Sequence, residues 1–223
     1  MKKAGIYFVA IFFMFIVFLS GCGESVMELC FKEVSETREN FYFVRNNDFV
    51  ASFTTGKRES DYQMNGEHTE NIEYGVLVVD FVDKNFTDLP KFIIKIDEKE
   101  YDGTMEFNPF NNTFCVDIGK EVKGGEKIEI SFPEMFLKDT LIYVSDMWQI
   151  DSKTAIEIAI KCFRKKIDSL IVDNKFQGEI FEKLLTMNKK SVEDMFWHIC
   201  IFAKSGEILT CTIDVITGQI VAV

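Results

Sequence analysis

Several kinds of residue are scarce in this chain. Histidine occurs twice and proline three times in 223 residues. So few prolines exclude a Pro-rich stalk. Neither GxSxG, HExxH, a phosphate-cradling glycine loop nor a Rossmann fingerprint occurs. No CxxC or other metal-ligand spacing is present either, so the sequence implies no cofactor and no metal. Positive charge is also short: 25 Lys and Arg against 36 Asp and Glu leave a net charge of −11. That balance argues against nucleic acid, whose phosphates need Lys or Arg. It equally argues against a folded body lying flat on anionic lipid. Aromatic residues are plentiful. With 23 Phe in an aromatic fraction of 14%, intrinsic disorder is excluded for most of the chain.

The beginning of the chain is its most informative stretch. Lys2 and Lys3 precede an uncharged run, Ala4 to Ser20, rich in Phe, Ile, Val and Met, and then small residues and a cysteine. Basic, apolar and small-residue regions in that order form a secretory signal. The four residues Leu19-Ser20-Gly21-Cys22 resemble the lipobox of bacterial lipoproteins. That resemblance implies a diacylglyceryl thioether on Cys22, cleavage before it and fatty acylation, as by palmitate, of the new amino terminus. The mature chain would then be fixed to the extracytoplasmic face of the cell membrane. Each buried methylene contributes about 0.8 kcal/mol and one chain holds only marginally, so two or three chains on one cysteine anchor stably. An uncleaved transmembrane helix, which needs about 20 apolar residues, and a plain secretory signal are the alternatives. Removing residues 1–21 leaves 202 residues, and losing Lys2 and Lys3 takes the charge from −11 to −13. That length suits one large domain or two small ones.

Residues 22–40 are polar and of mixed charge, which predicts a tether. From Phe41 the apolar period becomes two, as in half-buried strands: Phe41, Phe43, Phe49, Ala51 and Phe53. Thr54 to Thr69 has the polarity of a long loop. Tyr74 to Val82 is a β-branched run that predicts a central strand. Further short strands follow at 92–96, 101–107, 113–118, 127–132 and 141–144, separated by turn-forming clusters. Their number and spacing predict an immunoglobulin-like β-sandwich over residues 41–146.

The pattern changes after Asp146. Asp151 or Ser152 can cap a helix whose stripe is Ala155, Ile156, Ala159, Ile160 and Phe163, with Arg164, Lys165 and Lys166 in its last turns. Residues 179–186 suit a helix or a strand, and periodicity does not choose between them. Met195 to Ala203 and Ile208 to Ile216 predict a hairpin, followed by a short strand at 220–223. One helix on a small antiparallel sheet is an α+β unit over 147–223. Ala155-Ile156-Glu157-Ile158-Ala159, Trp197-His198-Ile199 and Ile213-Asp214-Val215-Ile216-Thr217-Gly218-Gln219-Ile220 resemble the PepSY domain, a small extracytoplasmic module. That resemblance covers about residues 148–223. It implies an inhibitory or peptidase-regulating role, and a strand in the segment between helix and hairpin.

The remaining candidates for chemistry are few. His68 lies near Glu67 and Glu70 in the polar loop, and His198 lies in a strand. A solvated loop and a packed histidine are the simplest expectations for them. With Cys22 assigned to lipid, Cys30, Cys115, Cys162, Cys200 and Cys211 remain. A turn centred on Ser205-Gly206 would set Cys200 directly opposite Cys211. Opposed Cα atoms lie about 4.5–5.5 Å apart, within disulfide reach, so these two are expected as a disulfide or a close thiol pair. The class of function expected is a non-enzymatic binding or regulatory module acting on a peptidase or an envelope protein. Alternatives are a solute-binding lipoprotein with a pocket between its domains, and a hydrolase built around His68 or His198.

Overall fold

The computed structural model describes residues 24–60, 63–83, 86–186, 192 and 194–223. The signal and Cys22 lie outside the described residues. Among those described, no helix is long and apolar enough to cross a membrane.

The segment expected as a tether is folded from Ser25 onward. Ser25 caps helix α1 (Val26–Phe31) through a capping box, in which its hydroxyl accepts from the Glu28 amide and the Glu28 carboxylate accepts from the Ser25 amide. Leu29 and Cys30 are buried. Strand β1 (Val34–Arg45) follows at once and pairs antiparallel along its length with β2 (Phe49–Glu59). The polar run after Thr54 is therefore strand as far as Glu59. Both edges of β2 are hydrogen-bonded, the second to β3 (Asn71–Phe81), and that pairing holds polar residues in the sheet. Gly56 marks a close approach: a Cβ there would lie 2.0 Å from the Thr37 carbonyl oxygen.

β4 (Lys91–Ile96), β5 (Lys99–Thr104), β6 (Glu106–Asn108), β7 (Thr113–Asp117), β8 (Ile128–Phe132) and β9 (Leu137–Tyr143) complete the first half. β1-β2-β3-β7-β6 forms one layer and β5-β4-β8-β9 the other, and β9 rejoins β1 at Tyr42–Tyr143. Inward positions of both layers, among them Tyr42, Phe49, Phe53, Leu77, Ile94, Ile130 and Phe132, make one core. Each fully buried side chain of this size contributes about 1.5–3 kcal/mol.

Helix α2 (Ser152–Cys162) starts at Asp151, whose carboxylate accepts from the Thr154 amide, and buries Ala155, Ile156, Ala159 and Ile160. Phe163, at φ −95° and ψ 17°, breaks it, so Arg164 to Lys166 open a separate helix α3 (Arg164–Ser169) instead of closing the first. A two-residue ribbon, β10 (Ile171–Val172) and β11 (Lys175–Phe176), leads into β12 (Gly178–Thr186), β13 (Met195–Ala203), β14 (Ile208–Asp214) and β15 (Ile220–Ala222). Residues 179–186 are thus strand. β12 lies parallel to the start of β1, with Val34 opposite Ile180, so this sheet is not purely antiparallel. The second core gathers α1, Val34, Phe41, α2 and the inward faces of β12–β14 around Trp197. Both halves therefore share β1, and no boundary at residue 41 separates them.

Replacing Gly56 by Ala should drive a methyl group into the β1 backbone, which cannot yield as a side chain would. We expect a loss of more than about 2 kcal/mol of stability, read by urea unfolding. The same change at Gly119, where a Cβ meets nothing within 4 Å, should cost only the strain of its φ of +61°, roughly 1–2 kcal/mol.

Candidate functional site

The expected thiol pair is not opposed. Opposite Cys200 stands Thr210, and opposite Cys211 stands Ile199. The reason is the turn. Gly206 adopts φ +87°, its amide donates to the Ala203 carbonyl, and the Ala203 amide donates to the Glu207 carbonyl. Lys204-Ser205-Gly206 is a three-residue loop with glycine at the left-handed position, one residue longer than the turn that would oppose the cysteines. A slip of one residue turns side chains to opposite faces. Cys211 is accordingly buried in the core while Cys200 is only partly covered.

The two histidines have different surroundings. His198 Nδ1 lies 3.2 Å from Thr212 Oγ1 on β14, and Lys183 stands opposite it on β12. Burial and then the Lys183 charge hold its basicity below the ordinary value. His68 is not in a solvated loop. Its Nδ1 lies 3.1 Å from Glu59 Oε1 and 3.2 Å from Ser35 Oγ, both fully buried at the end of β2 and the start of β1. Ser35 Oγ is also 3.0 Å from Glu59 Oε1 and 3.2 Å from Glu179 Oε2 on β12. The Gly66 amide donates to Glu179 at 2.6 Å and the Thr69 amide to Glu59 at 2.5 Å. The loop after β2 thus seats two buried carboxylates, one from each half of the molecule. Neither Glu59, Glu179 nor Ser35 stands out in the sequence; only the polar residues closing otherwise regular strands mark them.

This cluster does not have the geometry of a catalytic relay. In a nucleophile–base–carboxylate chain the hydroxyl meets one ring nitrogen and the carboxylate the other. Here Ser35 and Glu59 both meet Nδ1. Nor is any group of three or more His, Cys, Asp or Glu among the described residues arranged to hold a metal ion. Burial pushes the Glu179 carboxyl above its ordinary value, against the pull of the Gly66 amide and the Ser35 hydroxyl.

A third buried carboxylate closes the seam between the halves. Glu182 accepts from the Arg38 amide at 2.9 Å and from Ser152 Oγ at 2.6 Å. Burial dominates those bonds and raises it from 4.5 to about 8. Beside the seam lies a groove of about 220 Å³, lined by Phe41, Phe43, Leu184 and Met195 with Arg38 and Asp80 at its polar margin. Pockets that enclose a drug-sized molecule measure about 300–1,000 Å³, so this groove is small for solute capture.

The largest exposed apolar side chains lie elsewhere. The turns β1–β2, β6–β7 and β8–β9 and the segment after β3 meet at one end of the two layers, as the pairs Phe49–Phe81, Val79–Phe114 and Phe132–Leu137 require. Phe110 is 96% exposed at one turn and Phe136 is 95% exposed at another, the latter in the left-handed region at φ 56°. Val82 and Leu89 are exposed at the same end. Comparison with protein-family models, with curated proteins and with solved structures finds no match to the chain.

The sign of the Glu182 effect is fixed by its direction. The folded state favours the protonated form, so its contribution is full below pH 4.5 and is lost as pH rises through about 8. Stability should fall across that window, with a slope approaching about 1.4 kcal/mol per pH unit from this one group. Glu182→Gln should flatten the slope in urea unfolding measured from pH 5 to 9.

Proposed function

We propose that this chain is a membrane-anchored extracytoplasmic lipoprotein, held by lipid on Cys22, that acts as a non-enzymatic binding module for an envelope protein or a peptidase. In this reading the two-layered half is an immunoglobulin-like sandwich, and α2–α3 with β12–β15 is a PepSY-like unit that completes itself with β1. The observation that carries the reading is the placement of Phe110 and Phe136, bare aromatic rings on turns where solvation favours polar residues. An exposed phenylalanine held in left-handed backbone costs on the order of 1–2 kcal/mol, a cost that a binding role would explain.

Direction supports the same reading. α1 and the start of β1 belong to the opposite end of the molecule, and β1 is twelve residues long, or roughly 40 Å. An anchor at Cys22 would put the aromatic turns on the side away from the lipid, aimed at a protein and not at the anchoring bilayer.

Two measurements test this. Cys22→Ala should leave the chain uncleaved and without incorporated fatty acid. A photo-crosslinking residue at position 110 or 136 should capture one discrete envelope protein, and Phe110→Ser with Phe136→Ser should abolish that partner's binding while the thermal midpoint moves little. Acylation that persists in Cys22→Ala would overturn the anchor, and binding that survives loss of both rings would overturn the surface.

A further inference from the structure

Cys211 has a better placed neighbour than Cys200. Two contacts bracket α2 and α3 along β14. At one end the Gln149 and Ile150 amides both donate to the Val215 carbonyl. At the other, Lys166 Nζ lies 2.8 Å from Glu207 Oε1. The chain from 150 to 166 therefore runs antiparallel to residues 207–215, passing β14 from its end back to its start. Position 162 falls about three quarters of the way along, beside Leu209 and one inward-facing position from Cys211.

Helix phase points the same way. Ile158 faces the β14–β15 turn, where its Cδ1 would lie 3.6 Å from a Cβ on Gly218. Cys162 is four residues further on, one turn above Ile158 on that flank. It also continues the line of Ala155 and Ala159, both fully buried against the sheet. On the strand, Cys211 and Ile213 are buried and face the core. Helix phase and strand face thus turn both residues toward the layer between helix and sheet, Cys162 at the exposed end of the helix and Cys211 buried inside.

We propose that Cys162 and Cys211 form a redox-controlled disulfide that staples α2 to β14. Cys162, exposed at the end of the helix, is the attacking thiol; its thiolate displaces one half of a low-molecular-weight disulfide as a thiolate and leaves a mixed disulfide. The Cys211 thiolate then attacks the Cys162 sulfur, forms the protein disulfide and expels the second thiolate. The two expelled thiolates take up the two protons lost by the protein, so two protein thiols are oxidised and one disulfide is reduced to two thiols. Burial and then the Cys162 charge push the Cys211 thiol up to about 12, which makes its attack the slow step and keeps it inert until Cys162 has been engaged. The staple holds whether or not the chain is anchored, and is independent of the binding role.

The test is oxidation of the purified full chain with oxidised glutathione, followed by denaturation, alkylation and peptide mass analysis without reductant. The Cys162 and Cys211 peptides should appear joined and two hydrogens lighter, with Cys30, Cys115 and Cys200 alkylated. The thermal midpoint should rise by several degrees relative to the reduced chain. Cys162→Ser, at an exposed position, should remove both the joined peptide and the rise, whereas Cys200→Ser should leave both. Recovery of Cys162 as a lasting glutathione adduct with Cys211 alkylated, or joined to Cys30, would overturn the proposal.

Discussion

Everything in the molecule depends on the second edge of β1. One edge of this strand is paired by β2. The other is divided: Val34 and Glu36 lie against β12, Tyr42 and Phe43 against β9, and among the described residues no strand covers the middle. Buried amides left there without acceptors would each cost on the order of 1–3 kcal/mol. Side chains take the place of the missing strand. Arg38 donates its amide to Glu182, and Phe41 donates its amide to Ser145 Oγ. Glu182 can do this only by being buried, and burial is what makes it hold its proton. The bonds that make the joint favour the charged carboxylate, and the burial that comes with the joint outweighs them and favours the protonated form.

The same reasoning explains how far the sequence could be read. Alternation at Phe41, Phe49, Ala51 and Phe53 and the β-branched run at 74–82 mark strands because one face of each must be apolar. The stripe from Ala155 to Ile160 marks a helix for the equivalent reason. Residues 34–36 escaped because Val-Ser-Glu is buried on both faces, and Ser35 is satisfied by Glu59, His68 and Glu179, which lie 24, 33 and 144 positions away. Nothing local signals that. Thr54 to Glu59 read as loop because pairing to two strands at once, not hydrophobicity, holds it in the sheet. The hairpin was legible and its register was not, since the choice between turns differing by one residue rests on the left-handed backbone of Gly206.

The candidate site was less legible than the fold. His68 attracts notice as one of two histidines, but its partners Ser35, Glu59 and Glu179 are ordinary residues in ordinary strands. The aromatic turns are harder still. Phe110 and Phe136 sit among 23 phenylalanines, and sequence alone does not tell those that build the core from those that face solvent. That distinction comes from topology, which gathers the turns at the end of the molecule farthest from α1.

The parallel alignment of β1 with β12 has a consequence for how the chain acquires its shape. Ser35 and Glu179 are 144 positions apart, and the second core needs Leu29, Cys30 and Val34 from the start of the chain. Antiparallel neighbours such as β2 and β3 can zip from a short connection, but this joint closes a loop most of the chain long, the kind of closure that slows folding. Until β12 emerges, the first third of β1 is a bare sheet edge with apolar surface behind it. The start of β1 is made first but is covered only once β12 has been made, and the two halves are joined through the one strand they share.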